Sequence, residues 1–254
     1  MILLDEVGST NTYAKEHFSG LDDATLVSAR SQTTGRGRLN RKWLAKKDCD
    51  ITASIVLKNL ESGFHAGVIG GLAVLKLVRE CVPGALSFLK WPNDIYIREK
   101  KVCGILCEGV ISGGRLAGVV CGMGVNVNST QDDLSGAGQP ATSLSIEAGR
   151  EFDVKFLSEK LEKYLKECYI NFNLDFSAVL DSWKLENRLT GQVIEAVSPA
   201  GTRFTGVFRE IDASGAMVLE CEYGTKTFSC GDVKIDVART DWKKMRRDIY
   251  GVKQ

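Results

Sequence analysis

Histidine is almost missing from this sequence, proline is sparse, and no apolar run reaches the length needed to span a membrane. Two histidines in 254 residues leave the usual zinc spacings unmet, and no Ser–His or Cys–His arrangement is obvious. Eight cysteines are present, at positions 49, 81, 103, 107, 121, 168, 221 and 230, yet none forms a CxxC pair. The closest two, Cys103 and Cys107, lie in an apolar run, so the thiols read as small apolar residues kept reduced. Net charge is missing as well. The 33 basic side chains against 32 acidic ones leave +1, which excludes a chain that holds nucleic acid by bulk electrostatics. Any anion must be gripped locally. Met1-Ile2-Leu3-Leu4 runs into Asp5-Glu6 without the pattern of a signal peptide. The expectation is a soluble, cytoplasmic protein that does not enter membranes.

What is present is patterned. The length suits one large domain and a small one. Residues 1–7 predict a short strand. Ser9-Thr10-Asn11 predicts a helix start running through Tyr13, Ala14 and Phe18, with Ser9 an apt N-cap. Strands are expected from Leu26 to Ala29 and from Ile51 to Leu57. A buried, glycine- and alanine-rich helix follows from Phe64 to Cys81, stopped by Pro83-Gly84. Leu86 to Trp91 and Ile95 to Ile97 bracket the turn signal Trp91-Pro92-Asn93-Asp94. Two long strands, Val102 to Val110 and Leu116 to Val127, carry glycines at 104, 118, 122 and 124, and such glycines often mark close backbone approach to a ligand. A polar loop over 129–141 and helices near 153–172 and 175–187 come next. From Thr190-Gly191 onward, short strands alternate with turn signals, which indicates a small all-β module. The resulting domain reading is 1–189, 190–238, and a basic tail over 239–254 that contains Lys243, Lys244, Arg246 and Arg247.

The stretch Gly35 to Trp43 reads GRGRLNRKW, with Arg36, Arg38, Arg41 and Lys42 giving four cations in seven residues. On permissive glycine backbone it is suited to close over an anion. Alone it is equally a solvated basic turn. In the same way Asn93-Asp94 reads alone as a turn, and Lys101 as an exposed hairpin charge. The order of motifs changes these readings. GSTN at Gly8–Asn11 is followed by QTTGRGRLNRKW at Gln32–Trp43, KWPND at Lys90–Asp94 and KVCGIL at Lys101–Leu106. GMGVNVN at Gly122–Asn128 and PATSL at Pro140–Leu144 complete the series. From about Leu4 to Val237 the chain resembles the biotin protein ligases, also called biotin–[acetyl-CoA-carboxylase] ligases.

That resemblance implies an α/β (α+β) fold: a mixed, mostly antiparallel sheet flanked by helices, of the class II aminoacyl-tRNA-synthetase and biotin-ligase kind, plus a small C-terminal SH3-like β-barrel. It implies that biotin and ATP are substrates, that Mg²⁺ is required, and that biotinoyl-5'-AMP and pyrophosphate form first. A specific lysine of the biotin carboxyl carrier domain of a biotin-dependent carboxylase then takes the biotin. Bringing a carboxylate to a triphosphate needs cations and backbone donors rather than an enzyme nucleophile, and the cations are there.

By resemblance, Ser9, Thr10, Asn11 and Gln32 hold the ureido end of biotin, and Arg36, Gly37 and Arg38 close over its tail, with Gly104 beneath. Lys101 sits at the reacting centre with Arg38 and Asp94. Arg41, Trp43, Asn93 and Asn126 join Arg38, Asp94 and Lys101 around the nucleotide. Asp94 is the expected Mg²⁺ contact and helps the incoming lysine lose its proton. The family's third loop glycine is Asn40 here, a residue that tolerates positive φ, and its usual acidic residue before Ser-Thr-Asn is Gly8. The resemblance also implies a form without a DNA-binding helix-turn-helix, hence no DNA partner, and a possible homodimer. A biotin-binding pseudoenzyme and a lipoate ligase-like acyl-adenylating enzyme are the alternatives. The first would be expected to lose Lys101 or the arginines, and the second to carry a glycine-rich histidine motif that is absent.

Overall fold

The computed structural model describes residues 1–198, 200–229, 231–235 and 240. Cys230 and the basic tail expected over 239–254, Thr240 excepted, lie outside the described residues. Seven strands form the main sheet: β1 (Ile2–Val7), β2 (Leu26–Gln32), β3 (Ile51–Leu57), β4 (Ser87–Lys90), β5 (Asp94–Ile97), β6 (Lys100–Ser112) and β7 (Arg115–Val125). Their order is β1-β2-β3-β7-β6-β5-β4. β1 and β2 run parallel and every other neighbouring pair is antiparallel, so the sheet is mixed and mostly antiparallel, as expected.

The pleat decides which side becomes core. On β3, Ile51, Ala53, Ile55 and Leu57 join the large apolar core, as do Cys103 and Ile105 on β6 and Val119, Cys121, Met123 and Val125 on β7. That face is covered by α2 (Gly63–Cys81), with α4 (Val154–Leu174) and α5 (Phe176–Glu186) beyond it. The opposite face of the same strands presents Thr52 and Ser54, Gly104, and Gly122 and Gly124. A face that lacks large side chains cannot bury itself, and it becomes the floor of a cleft. The short helix α1 (Thr10–Glu16) lies on this side, where Ala14 and Phe18 pack with Val27, Val56 and Val120.

Helix starts carry their own signals. Ser62, Asp153 and Asp175 accept backbone N–H bonds at the starts of α2, α4 and α5, and Ser143 does so for the five-residue α3 (Leu144–Ala148). α3 was not expected from the sequence, because five residues give too little periodicity to recognise. The remaining strands, β8 (Val193–Val197), β9 (Arg203–Ile211), β10 (Met217–Cys221), β11 (Gly224–Phe228) and β12 (Asp232–Ile235), form an antiparallel sheet ordered β11-β10-β9-β8-β12. Its Phe208, Met217 and Leu219 are continuous with the main core. The turn after β9 touches the residue that follows β4: Trp91 Nε1 donates to the Gly215 carbonyl at 2.9 Å.

Candidate active site

Three walls surround the glycine floor. The first is the start of α1. Ser9 is buried and has the extended backbone of an N-cap, yet its side chain makes no capping bond. Every other α-helix in the described residues is capped by a side chain, so the Ser9 hydroxyl is left to face the cleft. Thr10 donates to Gln32 Oε1 twice, from its backbone N at 2.7 Å and its hydroxyl at 3.1 Å. Both bonds fall on the oxygen, which orients the amide and leaves Gln32 Nε2 as the donor end. Beneath them the fully buried Ser54 hydroxyl contacts Thr10 Oγ1 at 2.7 Å and Asn11 Oδ1 at 2.6 Å. Asn11 is the most engaged of the group, since its Nδ2 also donates to the Leu106 carbonyl at 3.0 Å and to Glu108 Oε2 at 2.8 Å.

The second wall is the glycine–arginine loop. Arg36 pairs with Lys42 as an isolated bridge, and Trp43 N donates to Gly35 O at 2.9 Å, which folds the loop back on itself. Its left-handed residue is Leu39 (φ 54°, ψ 36°). Arg38 reaches across the cleft and donates to Asn93 Oδ1 at 3.0 Å, while Asn93 Nδ2 donates to the Ile105 carbonyl at 2.6 Å. The Trp43 indole packs against the floor where Gly104 and Gly124 are directly opposite each other in the β6–β7 register. A methyl group at Gly124 would come within 2.2 Å of the indole. Trp43 Nε1 is buried without a partner. An unsatisfied donor of this kind is uncommon in a folded chain.

The third wall carries the charges. Lys101 Nζ lies 2.7 Å from Asp94 Oδ1, in ion-pair contact but off the hydrogen-bonding direction. Lys90, buried behind it, holds the other oxygen at 3.9 Å and sits 5.0 Å from the Tyr96 ring centroid. Asn126 closes this side. Its amide donates to the Thr142 carbonyl at 2.9 Å, from the segment that Lys101 bridges at Ala141.

All the residues singled out from the sequence therefore line one cleft: Ser9, Thr10, Asn11 and Gln32 at one end, Arg36, Gly37, Arg38, Arg41 and Trp43 along the loop, and Asn93, Asp94, Lys101, Gly104 and Asn126 opposite. Sequence reasoning missed the apolar Leu44, Leu134 and Ala137 and the polar Gln139, which also line the cleft, and it missed Ser54 and Glu108 underneath. A serine or glutamate within a strand carries no motif of its own. Only the alternation of β3 and β6 points both toward the cleft face.

The described cysteines are unpaired. Cys103 and Cys121 are buried on the α2 side; burial pushes the Cys103 thiol up, and the Cys107 thiol and burial do the same to Cys121. They are not nucleophiles. Among the described residues no cluster of three or more His, Cys, Asp or Glu side chains stands ready for a metal ion, and no helix is long and apolar enough to cross a membrane. The cleft thus offers cations, amides and the carboxylates of Asp94 and Asp133 around a glycine floor. Such a site suits two anions meeting, with no covalent enzyme intermediate.

Comparison with known proteins agrees with this geometry. Residues 3–126 match the model of the biotin/lipoate A/B protein ligase family. The chain is 30% identical over 241 residues to the bifunctional ligase/repressor BirA of Bacillus subtilis, covering 92% of this chain and 74% of that protein. It is 29% identical over 239 residues to the biotin–[acetyl-CoA-carboxylase] ligase of Paracoccus denitrificans, covering 91% and 98%. Among solved structures, the biotin protein ligase of Aquifex aeolicus in complex with biotin and ATP superposes with a TM-score of 0.76 at 28% identity, covering 92% of this chain and 97% of that one.

Proposed function

Because the chain belongs to the biotin protein ligases of the biotin/lipoate A/B protein ligase family, we propose that this cleft carries both half-reactions, with named residues at each step. The protein is an ATP-dependent biotin protein ligase. The observation that carries the residue assignment is the placing of Lys101, Arg38 and Asp94 across one glycine floor from Ser9, Thr10 and Gln32.

In the first half-reaction a biotin carboxylate oxygen attacks the α-phosphorus of ATP and pyrophosphate leaves. Two anions must approach, and Lys101, Arg38 and Arg41 offset their repulsion in a site partly screened from water. The Gln32 amide, with its oxygen fixed by Thr10, offers Nε2 to the ureido carbonyl, and the uncapped Ser9 hydroxyl serves the same end. Trp43 packs beside the adenine, and Asn93 and Asn126 hold the nucleotide. In the second half-reaction the acceptor lysine attacks the acyl carbon and AMP leaves. The lysine loses a proton as it attacks, and Asp94 is the carboxylate in reach of that position.

A magnesium ion arriving with ATP suits this donor set. Mg²⁺ commonly takes one or two carboxylates plus substrate phosphates rather than a protein cage, and Asp94 is one such carboxylate. The ion would add charge compensation at the phosphates. We further divide the chain near 189/190, where pairing passes from the seven-stranded to the five-stranded sheet, and read the latter as an SH3-like barrel. The acceptor is a biotin carboxyl carrier domain of a carboxylase, and the cytoplasm is the compartment. Incubation with biotin, MgATP and a carrier domain, followed by mass spectrometry of the carrier, tests the whole reading. The expected outcome is one added biotinoyl mass; an unmodified carrier beside a competent control ligase sinks it.

A further inference from the structure

The ligase reading gives Glu108 no role, yet this side chain touches both walls at the biotin end of the cleft. It lies on β6, four residues beyond the floor glycine Gly104, on the same face of the sheet. Its carboxylate accepts from Asn11 Nδ2 at 2.8 Å and from Lys15 Nζ at 2.9 Å, both on α1. Arg36 of the loop lies 3.7 Å from Oε2 and donates to Thr12 Oγ1 at 3.0 Å. Asn11 in turn has its carbonyl on Ser54 and its other amide hydrogen on Leu106. Both amide hydrogens of Asn11 are therefore spent within the protein, and its side chain relays position between α1 and the floor. Burial works to raise the Glu108 carboxyl's pKa, but the hydrogen bonds from Asn11 and Lys15 and the charges of Lys15 and Arg36 outweigh it and hold it below the ordinary value. The group is anionic at neutral pH.

We propose that Glu108 is a positioning residue for biotin retention: its carboxylate fastens the α1 wall and the first arginine of the loop to the sheet floor, so that both walls are held as one piece. The inference rests on the ligase reading of the cleft. It predicts that removing the charge loosens ligand without disturbing the chemistry, because neither Asn11 nor Glu108 reaches the reacting atoms.

Glu108→Gln tests it, since the amide keeps an acceptor for Asn11 and loses only the charge. Biotin KM and the biotin dissociation rate are expected to rise about fivefold, with kcat for pyrophosphate release within about twofold of the parent. Arg36→Ala should raise KM too, and the double variant should fall short of the product of the single effects. A parent-like KM and dissociation rate for E108Q, or a loss confined to kcat, overturns the proposal; fully multiplicative effects overturn the link to Arg36. Thermal melting accompanies each variant. Should E108Q fail to fold, Thr12→Val removes the other tie between loop and α1, and an unchanged biotin KM there overturns the fastening. Absence of pyrophosphate release from the parent protein overturns the ligase reading instead, and the two failures are distinct.

Discussion

Replacing Gly124 with alanine puts one methyl group where the loop rests on the sheet. A Cβ built at Gly124 lies 2.2 Å from Trp43 Cε2 and 2.5 Å from Cζ2 and Nε1. Carbon atoms settle at about 3.5–4.0 Å, so the indole must retreat by more than ~1 Å. The three nearest atoms all belong to Trp43, so the sheet is spared and the loop moves. At Gly104 the same methyl meets Lys101 Nζ at 3.0 Å and Trp43 Cζ3 at 3.1 Å, an approach relieved by a few tenths of an ångström. The two glycines face each other, yet their alanine variants should differ. If Trp43 stacks on the adenine, losing that contact costs ~1–3 kcal/mol, and Gly124→Ala should raise the KM for ATP by about tenfold. Gly104→Ala should raise it less. The melting temperature should stay near the parent value, since alanine in a strand recovers ~0.5–1 kcal/mol of backbone entropy. The assay is pyrophosphate release against ATP concentration, paired with tryptophan fluorescence on nucleotide binding and a Trp43→Phe control. Unchanged ATP dependence in G124A, or greater damage in G104A, would refute the platform argument.

Lys101→Ala should lower pyrophosphate release by about a hundredfold or more, from loss of a charge-assisted contact at the reacting centre, while Lys90, 3.9 Å from Asp94, keeps the stability loss small; near-parent release would sink the assignment. Buried Asp50 has its carboxyl pushed above the ordinary range by burial, against hydrogen bonds from Ser129 and Val127. A raised acid binds its proton more tightly in the folded state, so its contribution to stability is greatest at low pH and falls as pH rises from the unfolded pKa through the folded one. The stability difference between parent and Asp50→Asn, from urea melts between pH 4 and 7, should therefore decline as pH rises; a rising difference contradicts the burial argument. Asp94→Asn should leave biotin affinity without ATP unchanged or tighter, and Lys90→Met should weaken it. Calorimetry showing the two moving together would contradict the competition between Asp94 and the biotin carboxylate for Lys101.

The long apolar elements were legible because their periodicity is strong. The strand at Ile51–Leu57 was expected at its observed bounds, and the helix from Phe64 to Cys81 begins only one residue earlier, at Gly63. The cleft was legible for a different reason. Its floor needs glycine at 104, 122 and 124, and its chemistry needs cations, and both are visible as letters. What stayed hidden depends on side-chain contacts between elements distant in sequence. The Ser9 hydroxyl, an apt N-cap from sequence, makes no capping bond, and only the folded cleft gives it another use. Asn40 was expected to take up the strain of the missing loop glycine, whereas the left-handed backbone falls on Leu39, an exposed residue whose side chain is free to point outward. Asn11 reads as a ligand contact beside Ser9 and Thr10, and its bonds to Ser54, Leu106 and Glu108, 43 to 97 residues away, could not be read there. No local pattern encodes a partnership at that separation.

The same logic explains why a chain of net charge +1 can work on a triphosphate. The cations are not pooled in a field; three of them hold a partner at rest. Arg36 faces Glu108, Arg38 donates to Asn93, and Lys101 is paired with Asp94. Matching keeps the unliganded site from bearing unpaired, partly desolvated charge, which would cost several kcal/mol per ion. It also means that substrate binding is an exchange of partners. In the role proposed for it, Lys101 leaves Asp94 to meet the biotin carboxylate and the phosphate, and a carboxylate only about a tenth exposed loses its nearer partner. Lys90 remains on its other oxygen, and a magnesium ion travelling with ATP would face the same group. The departure of Lys101 is thereby offset in the same event that brings the nucleotide. The pair is poised to open when both substrates are present and to stay closed when neither is.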